Sequence, residues 1–162
     1  MAIDYHLKVE GIEGESQHAK HSSEIDILSW QWGAANPVRI VGAGMSAGKV
    51  SMSDLTITKR VDKSSPKLLG FNVTGKHAKY AVLTASKSTG GKTPDDFLTI
   101  KLEEVYVSSY QIGGSHGEDT GIENLSLAYG KIAYDYKEQK SDGTLTSAGE
   151  VAYDLMKAQQ EK

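Results

Sequence analysis

The sequence predicts a mainly β fold, namely a small two-sheet antiparallel β-barrel with one short flanking α-helix, in which residues 1–162 form a single domain. Apolar and polar residues alternate along most of the chain, as they do in strands with one buried face. In several long runs this alternation slips by one residue, which is typical of β-bulges that bend a strand and let a sheet curl. Strands that are buried on both faces are the alternative explanation of the slips.

The predicted strands follow one another from the N-terminus. The first keeps a regular alternation, with apolar side chains at Ile3, Tyr5, Leu7 and Val9. In the second, residues 24–33, the apolar phase changes from Ile25 and Ile27 to Leu28, Trp30 and Trp32. Further slips fall between residues 52 and 55, between residues 102 and 105, and at Gly130. Residues 150–162 suit a last strand with a charged tail and a helix equally well.

One helix is predicted after the third strand. Ser64 offers an N-cap hydroxyl, Pro66 suits the first helical turn, and Gly75 provides a C-terminal stop. Leu69 and Val73 are four residues apart and would lie on the same face of the helix. We expect these two side chains to pack against the side of the barrel.

The composition excludes several classes of protein. The chain has no cysteine, which excludes disulfides, thiolate metal sites and a thiol nucleophile. The net charge is -3 and the Lys and Arg residues are spread along the chain, so nucleic-acid binding is not expected. The sequence has no apolar run near the ~18 residues of a membrane span and no apolar signal-peptide core at its N-terminus. This predicts a chain made in the cytoplasm, without membrane insertion and without a cleaved signal peptide.

Some glycine-rich segments resemble nucleotide-binding loops in part. Residues 70–76 have the spacing of a phosphate-binding loop, but His77 stands where the loop requires a hydroxyl. Residues 91–93 lack the first glycine of that loop, and residues 42–48 have no βαβ unit around them. We therefore expect the chain to bind no nucleotide and no other cofactor.

One histidine pair has the residue types of a metal site. His18 and His21 are followed by Glu24 and Asp26 at the start of the second strand. A His-x-x-His sequence in a polar loop is more often a solvated turn than a ligand pair. The sequence therefore predicts no metal ligands.

A second cluster has the residue types of acid–base chemistry. His116, Glu118 and Asp119 lie in a glycine-rich segment that suits a connection between two long strands. No nucleophile or second histidine accompanies them in the sequence, as catalysis by such a group would require. We therefore expect no catalytic residues and no enzymatic activity, and a hydrolase that uses His116 and Glu118 is only a remote hypothesis.

The segment from residue 36 to residue 48 is unusual because it is long and apolar. Hairpin connections usually have about two to five residues, whereas this one carries a single charge, Arg39, among several large apolar side chains. An exposed apolar segment promotes aggregation unless another surface covers it. We predict a subunit interface formed by Val38, Arg39, Ile40, Val41 and Met45. The alternative is that the segment folds back on its own barrel end.

Taken in order, the segments of the chain resemble the Hcp (haemolysin co-regulated protein) family of the bacterial type VI secretion system. They include the paired tryptophans Trp30 and Trp32 before Gly33, and together they span nearly the whole chain. Residues 36–48 and 152–155 match the family least. The matching segments are residues 24–33, 48–50, 54–59, 61–68, 75–77, 100–109, 113–119, 123–127, 135–136 and 139–140.

The resemblance implies a structural protein whose subunits assemble head to tail into hexameric rings. The rings stack into a tube that a contractile sheath drives outward behind a VgrG-type spike protein, and effector proteins are carried in the lumen. Residues 36–48 fall where members of the family reach across to a neighbouring subunit. The resemblance thus implies that the protein leaves the cytoplasm through the type VI machinery.

Two polar residues of the second strand are candidates for the surface of the lumen. If Trp30 and Trp32 face the core, alternation places Ser29 and Gln31 on the opposite face. We therefore expect Ser29 and Gln31 to contact cargo. The alternative function is a monomeric β-barrel that binds a small ligand in an open interior, although the many bulky Trp, Tyr and Leu side chains favour a filled one.

Overall fold

The computed structural model of the chain describes residues 2–42, 44–91, 93–117 and 120–161. The regular structure of these residues is antiparallel β with one helix, so the predicted mainly β class is confirmed. The elements are, in chain order, β1 Ile3–Val9, β2 Ile25–Ile27, β3 Ser29–Gln31, β4 Ala34–Ala35, β5 Val38–Val41, β6 Gly44–Ala47, β7 Ser51–Met52, β8 Leu55–Arg60, α1 Ser65–Thr74, β9 His77–Lys87, β10 Asp95–Gly113, β11 Ile122–Ala128, β12 Lys131–Gln139, β13 Leu145–Asp154 and β14 Gln159–Gln160.

The longest strand, β10, organises the main sheet. It has 19 residues and pairs with β9 along one edge. Its other edge pairs with β12 near the start of β10 and with β11 near its end. The sheet continues from β9 to β1 and β2, from β12 to β13 and β14, and from β11 to β8 and β3. Of the two alternatives for residues 150–162, the structure therefore has the strand.

Glu104 divides β10 into two halves that pair with different strands, β12 before it and β11 after it. Leu102 and Val105 are both buried, and Glu104 between them has a positive φ of 55°. On the neighbouring edge, Gly130 separates β11 from β12, and its N–H donates to the carbonyl of Glu103. The slips predicted at these positions thus coincide with a positive φ at Glu104 and with the passage from β11 to β12 at Gly130. One hydrophobic core joins both halves and includes Leu7, Leu55, Ile57, Leu83, Ile100 and Leu125.

The main sheet is open, in contrast to the closed barrel that the sequence suggested. β2 pairs with β1 and β3 pairs with β8, but no ladder joins β2 to β8 in the described part of the chain. The chain instead crosses from one half to the other at Leu28, whose N–H donates to the carbonyl of Thr58. The slip at Leu28 is where the chain changes halves.

The ends of the helix α1 lie where the sequence places them. Pro66 is in its first turn, and Gly75 ends it with a left-handed φ of 69°. Ser64 occupies the N-cap position, but its side chain makes no capping hydrogen bond. The Ser64 hydroxyl donates to the carboxylate of Asp62 instead.

The buried face of α1 differs from the predicted one. Leu68 is fully buried, whereas Leu69 and Val73 have exposed fractions of 42% and 70%. The helix is oriented by Asn72, whose Nδ2 donates to the Val107 carbonyl of β10 at 2.9 Å. Leu68 and Asn72 are themselves four residues apart, so the stripe that faces the sheet is rotated by one position. None of the described helices is long and apolar enough to cross a membrane.

Candidate functional site

Residues 33–53 leave the main sheet as a two-stranded ribbon, which we call the hairpin arm. At its base, the Gly33 N–H donates to Ser53 Oγ and the Ser53 N–H donates to the Gly33 carbonyl, both at 2.9 Å. Further out, β4 pairs with β7 and β5 pairs with β6, so that Ile40 lies opposite Met45. The long connection in the sequence is thus largely paired strand, which its β-branched residues favour.

The outer part of the hairpin arm exposes apolar side chains. The exposed fractions are 56% for Val38, 76% for Ile40, 69% for Val41 and 73% for Met45, and Arg39 is exposed beside them. Folding back on the same chain would bury these residues, so the structure disfavours that alternative. A two-stranded ribbon is marginally stable in water when nothing packs on it. An apolar patch of this kind is typical of an interaction surface.

The base of the hairpin arm is fixed by a chain of hydrogen bonds. Trp32 Nε1 donates to the hydroxyl of Tyr129 at 2.5 Å, and that hydroxyl donates to the Ser53 carbonyl at 2.8 Å. Burial raises the pKa of Tyr129, which keeps its hydroxyl protonated and able to donate. The orientation of the arm is therefore set by the junction between β11 and β12.

A polar surface covers the outer face of β3, of β8 up to Thr58, and of part of β11 and β10, and the exposed Arg60 lies beyond it at the end of β8. Ser29 and Gln31 are exposed on it, while Trp30 packs against the core. Their neighbours on β8 are Thr58 and Thr56, which are followed in turn by residues of β11 and β10. We call this surface the polar face, and it consists of Ser29, Gln31, Thr56, Thr58, Ser109, Gln111, Asn124 and Ser126.

A second apolar surface lies where β12 and β13 extend beyond the core. Tyr134 and Tyr136 follow the buried Ile132 in the same alternation, yet each is 38% exposed. Val151 pairs with Tyr134 and is 54% exposed, and the ring of Phe97 packs edge-on against Tyr136. We call these residues the tyrosine patch. Sequence reasoning missed it because alternation is the same for a buried and an exposed apolar face.

The centre of the molecule is filled with the buried apolar side chains of the core. An open concavity of about 570 Å³ lies at the base of the hairpin arm, between Gln31, Ala35 and Thr56. A concavity that opens to solvent does not enclose a ligand as small-molecule sites usually do. These features disfavour the hypothesis of a monomeric ligand-binding barrel.

The remaining candidate residues lie in several places. His116 is exposed in the turn after β10, and Glu118 and Asp119 lie outside the described residues. The glycine-rich residues 70–76 form the end of α1, and Lys92 of the second such segment is outside the described residues.

The histidine pair His18 and His21 is not a solvated turn. The structure brings both rings against His6 of β1, and His21 is only 6% exposed. Sequence reasoning missed this group because only the fold brings His6 to the other two histidines.

Comparison with known proteins agrees with this architecture. The family model described as "Type VI secretion system effector, Hcp" matches residues 6–136. The chain is 42% identical over 154 residues to the protein hcp1 of Pseudomonas aeruginosa, which covers 94% of both chains. The solved structure of a type six secretion system protein superposes with a TM-score of 0.91 at 30% identity, over 99% of this chain and 100% of the other. The crystal structure of Hcp1 from Salmonella typhimurium superposes with a TM-score of 0.78 at 30% identity, over 99% of both chains. The chain therefore belongs to the Hcp family of type VI secretion system proteins.

Proposed function

We propose that the protein is the structural subunit of the type VI secretion tube and that it forms hexameric rings which stack into the expelled inner tube. The observation that carries this proposal is the hairpin arm, whose outer apolar side chains have exposed fractions of 56–76% in the single chain. Such a surface is stable in water only when a partner covers it. In a family of secreted tube proteins, the natural partner is a second copy of the same chain.

A ring requires two different complementary surfaces on each subunit, because a head-to-tail contact joins unlike patches. The hairpin arm supplies one of them. The tyrosine patch supplies the other, since Tyr134, Tyr136 and Val151 form an exposed apolar surface on a different part of the sheet. We propose that the arm of one subunit packs on the tyrosine patch of the next.

The polar face suits the lumen of such a ring. Its hydroxyl and amide side chains, which include Ser29 and Gln31, offer hydrogen bonds without a net charge. A surface of this kind binds many different proteins weakly and does not select one by charge. We propose that effector proteins are held there while the tube is assembled and expelled.

The proposal also names the other partners. Stacked rings would meet a VgrG-type spike protein at the tip and a contractile sheath on the outside. The protein would be made in the cytoplasm and leave it through this machinery without a cleaved signal peptide. Its role is binding and assembly, not catalysis.

The solution mass of the purified protein tests this proposal. Size-exclusion chromatography with light scattering should give six times the 17.5 kDa mass of one chain. Dilution should shift the population towards smaller species, because the contact is intermolecular. A monomer whose mass stays constant at every concentration would overturn the ring.

A further inference from the structure

Three histidines from separate parts of the sequence form one cluster. His6 lies on β1, and His18 and His21 lie in the segment between β1 and β2. Their ring centroids are 4.8 Å, 4.9 Å and 5.1 Å apart. One ring nitrogen from each histidine lies within 4.8 Å of one from each of the others.

Two nitrogens of this cluster are buried and have no hydrogen-bond partner. They are Nδ1 of His6, a residue that is 3% exposed, and Nε2 of His18. Buried polar atoms in folded proteins nearly always have a partner, and an unpartnered one often indicates a missing ligand. The two unpartnered nitrogens therefore point to a ligand at this place.

Carboxylates hold the outer sides of the rings. Asp26 lies 3.3 Å from Nε2 of His6, which leaves Nδ1 as the free atom. Glu24 lies 3.0 Å from Nδ1 of His21, and Asp96 lies 2.7 Å from Nε2 of the same ring. A carboxylate behind the imidazole fixes the orientation of the ring and makes its other nitrogen more basic, as in many metal sites.

We propose that His6, His18 and His21 bind one divalent transition-metal ion of the zinc type. Imidazole nitrogens prefer Zn²⁺, Ni²⁺ and Cu²⁺ to Mg²⁺ and Ca²⁺. Ligands about 2.0 Å from a tetrahedral zinc ion lie about 3.3 Å apart, so the three nitrogens move closer together on binding. The segment that carries His18 and His21 supplies this movement.

Binding changes the protons of two rings. Both ring nitrogens of His21 have carboxylate partners, so coordination releases the proton of one nitrogen and breaks the hydrogen bond from that nitrogen to its carboxylate, while the other nitrogen keeps its own partner. His18 Nδ1 accepts from the Lys20 N–H at 3.2 Å. Coordination through His18 Nε2 moves the ring proton to Nδ1 and breaks that long hydrogen bond. The ion then ties the segment between β1 and β2 to β1.

Direct metal binding tests the proposal. The full chain without an affinity tag is freed of metal with a chelator and titrated with Zn²⁺ against a chromophoric competitor. We expect one Zn²⁺ per chain, no binding of Mg²⁺, and a rise in melting temperature that grows with free Zn²⁺. The absence of saturable Zn²⁺ binding would overturn the site.

Variants separate the cluster from other histidines. His18→Ala is the main variant because His18 is half-buried and its loss leaves the fold intact, which circular dichroism verifies. It should weaken Zn²⁺ binding at least tenfold and abolish the rise in melting temperature. His116→Ala removes an exposed histidine outside the cluster and should leave both unchanged. Equal Zn²⁺ affinity in the wild type and His18→Ala would refute the assignment.

Discussion

Lys59 and Glu123 form an ion pair that has no exposure to solvent. Lys59 Nζ lies 2.6 Å from Glu123 Oε1 and 3.0 Å from Asp62 Oδ1. The hydroxyl of Ser65 donates to the same Glu123 oxygen at 2.5 Å. The group joins β8, β11 and the first residue of α1, so it connects the helix to one half of the sheet.

The first prediction concerns this buried pair. Lys59→Met leaves the carboxylate of Glu123 buried without its cation, which should lower the free energy of unfolding by about 3–5 kcal/mol. The double variant Lys59→Met/Glu123→Leu removes both charges and should recover most of that loss. Urea denaturation measures both values. A loss below about 1 kcal/mol for the single variant, as surface pairs show, would contradict the role of the pair.

The second prediction concerns the pH dependence of stability. Burial and the hydrogen bond to Glu123 raise the pKa of Tyr110 to about 12. Because the folded pKa exceeds the unfolded value of about 10, the stabilisation is fully present below about pH 10 and is lost as the pH rises towards 12. Tyr110→Phe should therefore lose less stability than the wild type between about pH 10 and about pH 12 in urea denaturation.

A matched control is available for this titration. Tyr106→Phe changes a tyrosine of the same strand that is 43% exposed, and it should follow the wild type. Equal pH dependence in the wild type and Tyr110→Phe would show that Tyr110 does not contribute.

The partners of single buried charged residues were the hardest feature to predict from the sequence. Lys59 continues the alternation of Leu55 and Ile57, and Glu123 precedes Leu125 and Leu127 in the same phase. The alternation in the sequence places both residues at core positions. Burial of a charged residue can be predicted from such a position only when the residue that pairs with it is known. That partner comes from a strand far along the chain, as it does for His21, whose Nε2 lies 2.7 Å from Asp96.

At the scale of elements, periodicity predicted the strands and their bends well. The strand partner changes at Leu28, Glu104 and Gly130, where slips were predicted, and Pro66 and Gly75 mark the ends of the helix correctly. The predicted buried face of the helix was wrong, because which face is buried depends on tertiary contacts with β10. The predicted closure of the sheet into a barrel was wrong, because periodicity indicates where strands curve but not which strands pair.

The third prediction concerns the hairpin arm as an element. The Gly48 N–H donates to the Pro37 carbonyl at 2.7 Å, and a Cβ at Gly48 would lie 2.8 Å from Pro37 Cγ. Gly48→Ala should therefore disrupt the pairing of the arm and increase its cleavage in limited proteolysis severalfold, while the core stays folded.

Gly44→Ala is the control for this change. Gly44 lies in the same arm, but the nearest atom to an added Cβ is the Val41 carbonyl oxygen at 3.9 Å. The Gly44→Ala variant should be cleaved by the protease at the wild-type rate. Equal cleavage of the two variants would show that close packing at Gly48 does not hold the arm.

At the scale of the whole molecule, the fourth prediction tests how subunits join. Replacing Val38, Ile40 and Val41 with serine removes the apolar surface of the hairpin arm. Folded monomers should result, because the core does not include these residues. Light scattering measures the mass, and circular dichroism verifies the fold.

The control for the triple variant changes exposed apolar residues elsewhere. Leu69→Ser/Val73→Ser alters two side chains on the outer face of α1 and should leave the rings intact. Intact rings in the triple variant would refute the role of the arm.

The fifth prediction tests the polar face as a cargo surface. Gln31→Lys places a charge next to the uncharged Thr56 and should change the retention of effector proteins severalfold while rings still form. Co-purification of effectors with the rings measures retention. Unchanged retention across several effectors would refute a lumenal role for Gln31. Lys8→Gln, which changes an exposed charge on β1, serves as the control and should leave retention unchanged.

The hairpin arm also has a consequence for the lifetime of the protein in the cell. Folding of the core is a unimolecular process, whereas the proposed protection of the arm by a neighbouring subunit would be bimolecular and would depend on the supply of neighbours. A surplus chain therefore displays an extended, apolar segment of the kind that proteases and chaperones bind. Subunits made in excess of their neighbours would be removed first, so assembly itself would set the amount of protein that persists.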